Sequence, residues 1–160
     1  MSRIKNFFSE ISPHTGFGKM TDEVSKVGLK GLNRSDKVAL GGFFGAPYAG
    51  GMIGAGVGAF QDGEGTVSSM ADKGFQAGGV ASAAAIAGSP LARKSFGRVG
   101  MSALIGGAMT TMSTALMQDE DAGVLQRLGV NFASLGVGMV GGGLLAKGSM
   151  KLGMFTKSVT

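Results

Sequence analysis

Cysteine is absent from this chain, which excludes a disulfide framework, a thiolate nucleophile and a cysteine-based zinc site. The single histidine, His14, leaves no second imidazole for a histidine-pair metal site. Proline occurs 3 times against 31 glycines, which excludes collagen and argues against a proline/glycine-rich disordered chain. Charged residues are also scarce, at 16 %, too few for disorder driven by charge and polarity. The acids fall in the N-terminal region and two polar breaks, with no catalytic constellation among them. "DED" at 119–121 reads as a solvated loop, and "GAGVGAF" lacks the preceding strand and following acid of a phosphate loop. Lone His14 beside Pro13 reads as a surface turn residue, and Tyr48 as a packing residue. The expectation is a non-enzymatic chain with no cofactor, no metal and no small-molecule substrate.

What the chain does have is four long uncharged blocks, at 38–61, 74–92, 99–118 and 128–146. Each is close to the roughly 20 residues that a helix needs to cross a hydrocarbon core. The charged breaks between them alternate in character. Counted from the N-terminus, Lys and Arg number 7, 1, 3, 1 and 3 in the five polar segments. That alternation is the positive-inside pattern for four spans with both termini on the cytoplasmic or interior side. The three cations of the middle segment, Arg93, Lys94 and Arg98, read as the inside loop joining two hairpins. The net charge of +5 suits an anionic membrane surface, and non-specific nucleic acid contact through the basic ends stays open.

The blocks carry stripes of small residues. Gly42, Ala46, Gly50, Gly54 and Gly58 recur every fourth position in block one. On a helix they form one face without bulk, the small-xxx-small pattern of close membrane-helix contacts. Block two offers Ala77, Ala81, Ala85 and Ser89, with Gly74, Gly78 and Ser82 on an adjoining row. Gly106 in block three and Gly138 and Gly142 in block four continue the theme, with Thr110, Thr111, Thr114 and Asn131 as expected interhelical hydrogen-bonders. Block two is the least apolar, with only Phe75, Val80, Ile86 and Leu91 as strong apolar residues, so insertion as hairpins is expected. Pro47 is expected to kink block one, and Pro90 to mark the end of block two.

Ahead of the blocks, Ile4, Phe7, Phe8 and Ile11 share the face of an amphipathic helix that Pro13 stops. Phe7 and Phe8 beside Arg3 and Lys5 suit a membrane surface, while packing of that face on the rest of the protein is the competing reading. A second helix is expected from Thr21, with Asp22 and Glu23 in its first turn and Gly28 and Gly31 weakening its end.

The fold class expected is therefore all-α: four closely packed, transmembrane-length helices in two hairpins over 38–146, a basic amphipathic region over 1–37, and a basic tail over 147–160. With "AGGVASAAAIAG", "GVGMVGGGLLAKG" and basic ends, the chain resembles small glycine-rich internal virion proteins of tailed and membrane-containing bacteriophages. That resemblance implies a virion-associated structural protein, homo-oligomeric or packed with other virion proteins, that takes part in a DNA-ejection conduit across a bilayer. The alternative reading is a soluble, glycine-rich helical scaffold that buries the same blocks in an oligomer or a virion. "GGFFGAPYAGGMIGAG" and "RKSFGR" also resemble the four-span inner-membrane translocase family of mitochondria. That family places an acidic residue shortly after the arginine, and "GRVGMSALIGG" has none.

Overall fold

The computed structural model describes residues 2–61, 66–119 and 122–152, and every regular element among them is helical. The order is α1 (Ser2–Ile11), α2 (Pro13–Gly31), α3 (Arg34–Gly58), α4 (Thr66–Gly88), α5 (Pro90–Met117) and α6 (Val124–Lys151). Helices α3 and α4 pair as one antiparallel hairpin and α5 and α6 as a second, with α4 and α5 in contact between them. Three helices, α3, α5 and α6, are long and apolar enough to cross a membrane. Helix α4 is 23 residues long, sufficient in length, but Asp72, Lys73 and Gln76 and many Gly, Ala and Ser residues dilute its apolar content. The expected set of four transmembrane-length helices is thus met by three on length and composition.

In the first hairpin the two backbones touch. A methyl group built on Gly50 would strike the Gly74 carbonyl, and one on Gly54 the Met70 carbonyl. Gly58 lies against Val67 and Thr66, and a Cβ built on Gly42 would stand 3.3 Å from the Ala85 methyl. From the other side, Gly74 meets the Gly50 carbonyl and Gly78 the Ala46 carbonyl. Because a Cβ there would land on an oxygen, the glycine Cα–H points at it. Such contacts contribute about 0.5–1 kcal/mol each. Glycines off this stripe, Gly41, Gly45 and Gly56, face open space. On α4 the row of Gly74, Gly78 and Ser82 makes the interface, while Ala77 and Ala81 of the other small row are exposed.

Pro47 sits inside α3 and has no N–H for the Phe43 carbonyl. The buried Ser82 hydroxyl of α4 donates to the neighbouring Gly42 carbonyl at 2.9 Å and lies 3.5 Å from the Phe43 carbonyl, so a partner helix covers the gap. The second hairpin repeats the close approach: Gly106 packs on the Gly138 carbonyl, and Gly142 on the Ser102 carbonyl. The threonines expected to bond across helices do not. Thr110, Thr111 and Thr114 each donate to the carbonyl four residues earlier in α5. A hydroxyl close to its own backbone finds that acceptor without any tertiary arrangement.

Residues 93–98 were expected as a loop; they are helical. Ser89 caps α5 by accepting from Ala92 N, and Pro90 takes the first helical position. The interruption is one residue, Gly97, at φ 65° and ψ 178°, a conformation that only glycine adopts readily. It separates a short basic turn from the stretch 98–117. Helix α2 likewise starts at Pro13 and not at Thr21, because Pro13 opens a helix as well as closing one. Thr21 Oγ1 donates to the Phe17 carbonyl in its interior, and His14 lies exposed in its first turn. Gly28, at φ 66°, breaks α2 before its end.

The largest side chains of the core gather at one end of the bundle. Met20, Ile86, Ala92, Phe96 and Met101 form one cluster with Phe17 and Phe43, and Ile11, Val99, Ala103 and Met139 form another with Phe7. Helices α1 and α2 thereby cap the end where α3 and α5 begin and where α4 and α6 finish.

Candidate functional site

Beyond the core clusters at the basic end, the exposed surface of the hairpins is largely apolar and the buried positions are small or polar. On α3, Tyr48, Met52 and Ile53 are 68 %, 72 % and 69 % exposed, and on α6 Val137 and Leu145 are 70 % and 77 % exposed. Ser69, Ser82, Thr111, Asn131 and Arg127 are buried. In the most apolar windows of α3, α5 and α6, only 11 %, 33 % and 17 % of residues are buried. A water-soluble domain places its Leu, Ile and Phe inside and leaves Ser, Asn and Arg outside. The inverted arrangement leaves an apolar surface of the kind that marks a membrane or an extensive protein interface.

Charge is distributed along the bundle axis. Lys and Arg of α1, α2, the first turns of α3 and α5, and the end of α6 share one end. Lys73 and Arg127 are the only described cations in the other half. Of the membrane-surface residues expected from the sequence, Phe8, Arg93, Lys94 and Arg98 are exposed at the basic end. Phe7 is half-buried, with Lys147 Nζ 4.9 Å above its ring. Arg93 Nε donates to the Ala87 carbonyl at 2.6 Å, closing the end of α4. Lys147 pairs with Glu10 at 2.7 Å and ties α1 to α6. The amphipathic face of α1 is split: Phe7 and Ile11 pack on α5 and α6, while Ile4 and Phe8 point outward.

Lys94 pairs with Glu23 at 3.3 Å and Lys26 does so at 3.5 Å. These cations, Lys94 foremost, hold the Glu23 carboxyl below its usual value of 4.5. A carboxyl lowered in the folded state contributes stability above its unfolded value, and that contribution is lost as pH falls through the folded one. A carbon-13 NMR titration of Glu23 is expected to give a midpoint below 4.5, returning toward 4.5 in Lys94→Gln. An unchanged midpoint in that variant would remove the α2–α5 pair.

Two polar clusters tie the helices together; the sequence pointed to Asn131 as a hydrogen-bonder and to Ser89 only as a small packing residue. At the basic end, Asp36 Oδ1 accepts from Ser89 Oγ at 2.5 Å and from Leu91 N at 3.1 Å. Asp36 N itself donates to Asn33 Oδ1, the cap of α3, at 2.8 Å. One buried carboxylate thus stands at the N-termini of α3 and α5, where helix dipoles favour negative charge. At the opposite end, Asn131 Nδ2 donates to Asp72 Oδ2 at 3.2 Å, and Gln118 Nε2 donates to Asn131 Oδ1 at 3.1 Å. Arg127 donates to Ser68 Oγ at 3.2 Å and to the Ala122 carbonyl at 2.7 Å. The Asn131–Asp72 and Arg127–Ser68 bonds join α4 to α6, and Gln118 ties the end of α5 to α6.

Between the two clusters the hairpins part, leaving an apolar crevice of about 450 Å³. Aromatic side chains of α3, α4 and α6 wall it, and Gly79, Ala83 and Ala108 form its floor. Among the described residues no three His, Asp or Glu side chains come together as a metal site. No family model, curated protein or solved structure matches the chain.

Proposed function

We propose that the chain is a non-enzymatic membrane protein whose two hairpins cross a bilayer, with both termini and residues 93–98 on the cytoplasmic or interior side. The observation that carries this reading is the outward apolar face of α3, α5 and α6, whose buried positions beyond the core clusters are small or polar. The basic end supplies the orientation. Helix α4 crosses as the partner of α3: its Gly74 and Gly78 are sealed against the α3 backbone, and its Asp72 is met by Asn131. A backbone without water must satisfy itself within helices, which offsets the low helix propensity of so much glycine.

In its finer form the proposal is a virion-associated structural protein that helps form a genome-delivery conduit, as the resemblance to phage internal virion proteins implies. Each hairpin is packed backbone to backbone, so a conduit would run between protomers and not through one. Purified protein is expected to partition into anionic liposomes and release an entrapped dye. Raised salt should weaken the first, electrostatic step of binding. Protein that stays monodisperse without detergent and ignores the liposomes at low salt would replace this reading with the soluble scaffold.

A further inference from the structure

The crevice between the hairpins continues into an open stripe on α3. Phe44 and Tyr48 wall the crevice, and Arg34, Lys37 and Gly41 precede them at helical spacing on the same face. Gly41 and Gly45 have nothing within 4 Å of where a Cβ would stand, so the stripe is uncovered. Lys37 and Arg34 are exposed and make no ion pair among the described residues. From Lys37 to Tyr48 is about 16 Å along the helix at 1.5 Å per residue. That matches the roughly 15 Å from headgroup level to the bilayer midplane.

The volume also decides. A dry cavity of about 150 Å³ holds one benzene, so 450 Å³ takes roughly 18 carbon atoms. That is one acyl chain. The small floor at Gly79, Ala83 and Ala108 leaves the depth that the aromatic walls enclose.

We infer that this groove is a binding site for one anionic phospholipid of the leaflet at the basic end. Its headgroup lies at Arg34 and Lys37 and one acyl chain runs past Gly41 into the crevice. The inference rests on the membrane reading above and adds a selective lipid to it. The cations confer the selectivity, and the crevice holds the chain. A second copy of the chain would have to insert a helix of its own into the crevice, whereas one acyl chain fills it.

The chain lacks tryptophan, so single-tryptophan variants report cleanly. Phe44→Trp places the reporter in the groove, and Leu145→Trp places one on the exposed face of α6. Each is reconstituted in zwitterionic bilayers containing a small fraction of phosphatidylglycerol or phosphatidylcholine with brominated acyl chains, which quench tryptophan on contact. At Phe44→Trp the anionic lipid is expected to associate at least about fivefold more strongly than the zwitterionic one. Adding Arg34→Gln and Lys37→Gln should abolish that preference, while Lys30→Gln should leave it intact. At Leu145→Trp the two lipids should quench equally.

Equal quenching by both lipids at Phe44→Trp, with Leu145→Trp also quenched, would overturn the inference and leave the membrane reading standing. Quenching at Leu145→Trp but by neither lipid at Phe44→Trp would show protein in the crevice and overturn it too. No quenching at either position would remove the membrane reading and the lipid site together.

Discussion

Replacing Gly54 by leucine is expected to drive α3 and α4 apart, whereas the same replacement at Gly56 is expected to be neutral or slightly stabilising. At Gly54 an added Cβ runs into the Met70 carbonyl and stands 3.2 Å from Ala71 Cα. The obstacle is backbone, which has no rotamer to move into. Overpacking of a core costs about 1–3 kcal/mol even where side chains yield. Here the helices must separate, and dispersion and Cα–H···O contacts along the pair are lost as well, so a cost above about 3 kcal/mol is expected. At Gly56 nothing lies within 4 Å, and a better helix former returns up to about 1 kcal/mol. Val57→Leu, at a half-exposed site, serves as the second control. Unfolding of the detergent-solubilised variants by SDS, followed by circular dichroism, separates these outcomes. Equal midpoints for Gly54→Leu and Gly56→Leu would contradict the glycine-sealed hairpin.

The second large effect is expected at Asp36. Its carboxylate accepts from Ser89 Oγ and Leu91 N while standing in the first turn of α3. Asp36→Ala leaves a buried hydroxyl and a helix N-terminus without their acceptor, at about 2–3 kcal/mol in total. For a chain of this size that lowers the melting temperature by roughly 4–12 °C. Asp36→Asn keeps an oxygen acceptor and should lose less than half as much. Thermal unfolding in detergent measures both, and an Asp36→Ala protein that melts with the wild type would show the buried junction to be energetically idle.

The architecture was legible where one residue type had a single physical use. A glycine every fourth position in an uncharged block has little purpose except close approach, and Gly50, Gly54 and Gly58 do face the α4 backbone. Block two held two small rows, and periodicity alone had no means of choosing the row of Gly74 and Gly78 over that of Ala77 and Ala81. Charge made a poor boundary marker. Asp36 and Arg127 lie inside helices that begin before their uncharged blocks, and 93–98 belongs to α5. The sequence contained the signal for that start, a serine followed by proline at 89–90. Pro13 after Ser12 carries the same signal: it follows the end of α1 and opens α2. The partners of the Asp36 and Asp72 carboxyl groups lie more than fifty residues away in the chain, and no local pattern announces them.

The most direct test of the membrane reading uses the absence of native cysteine. Single cysteines are placed at Ser25 and Gly123, at opposite ends, and at Val137, midway along α6 and 70 % exposed on the bare protein. Sealed, right-side-defined vesicles are treated with a membrane-impermeant maleimide before and after lysis. Ser25→Cys and Gly123→Cys are expected to label from opposite sides. Val137→Cys is expected to label from neither until detergent or denaturant is added, because lipid covers it. Rapid labelling of Val137→Cys in intact vesicles, at the rate of the two end positions, would contradict the membrane reading.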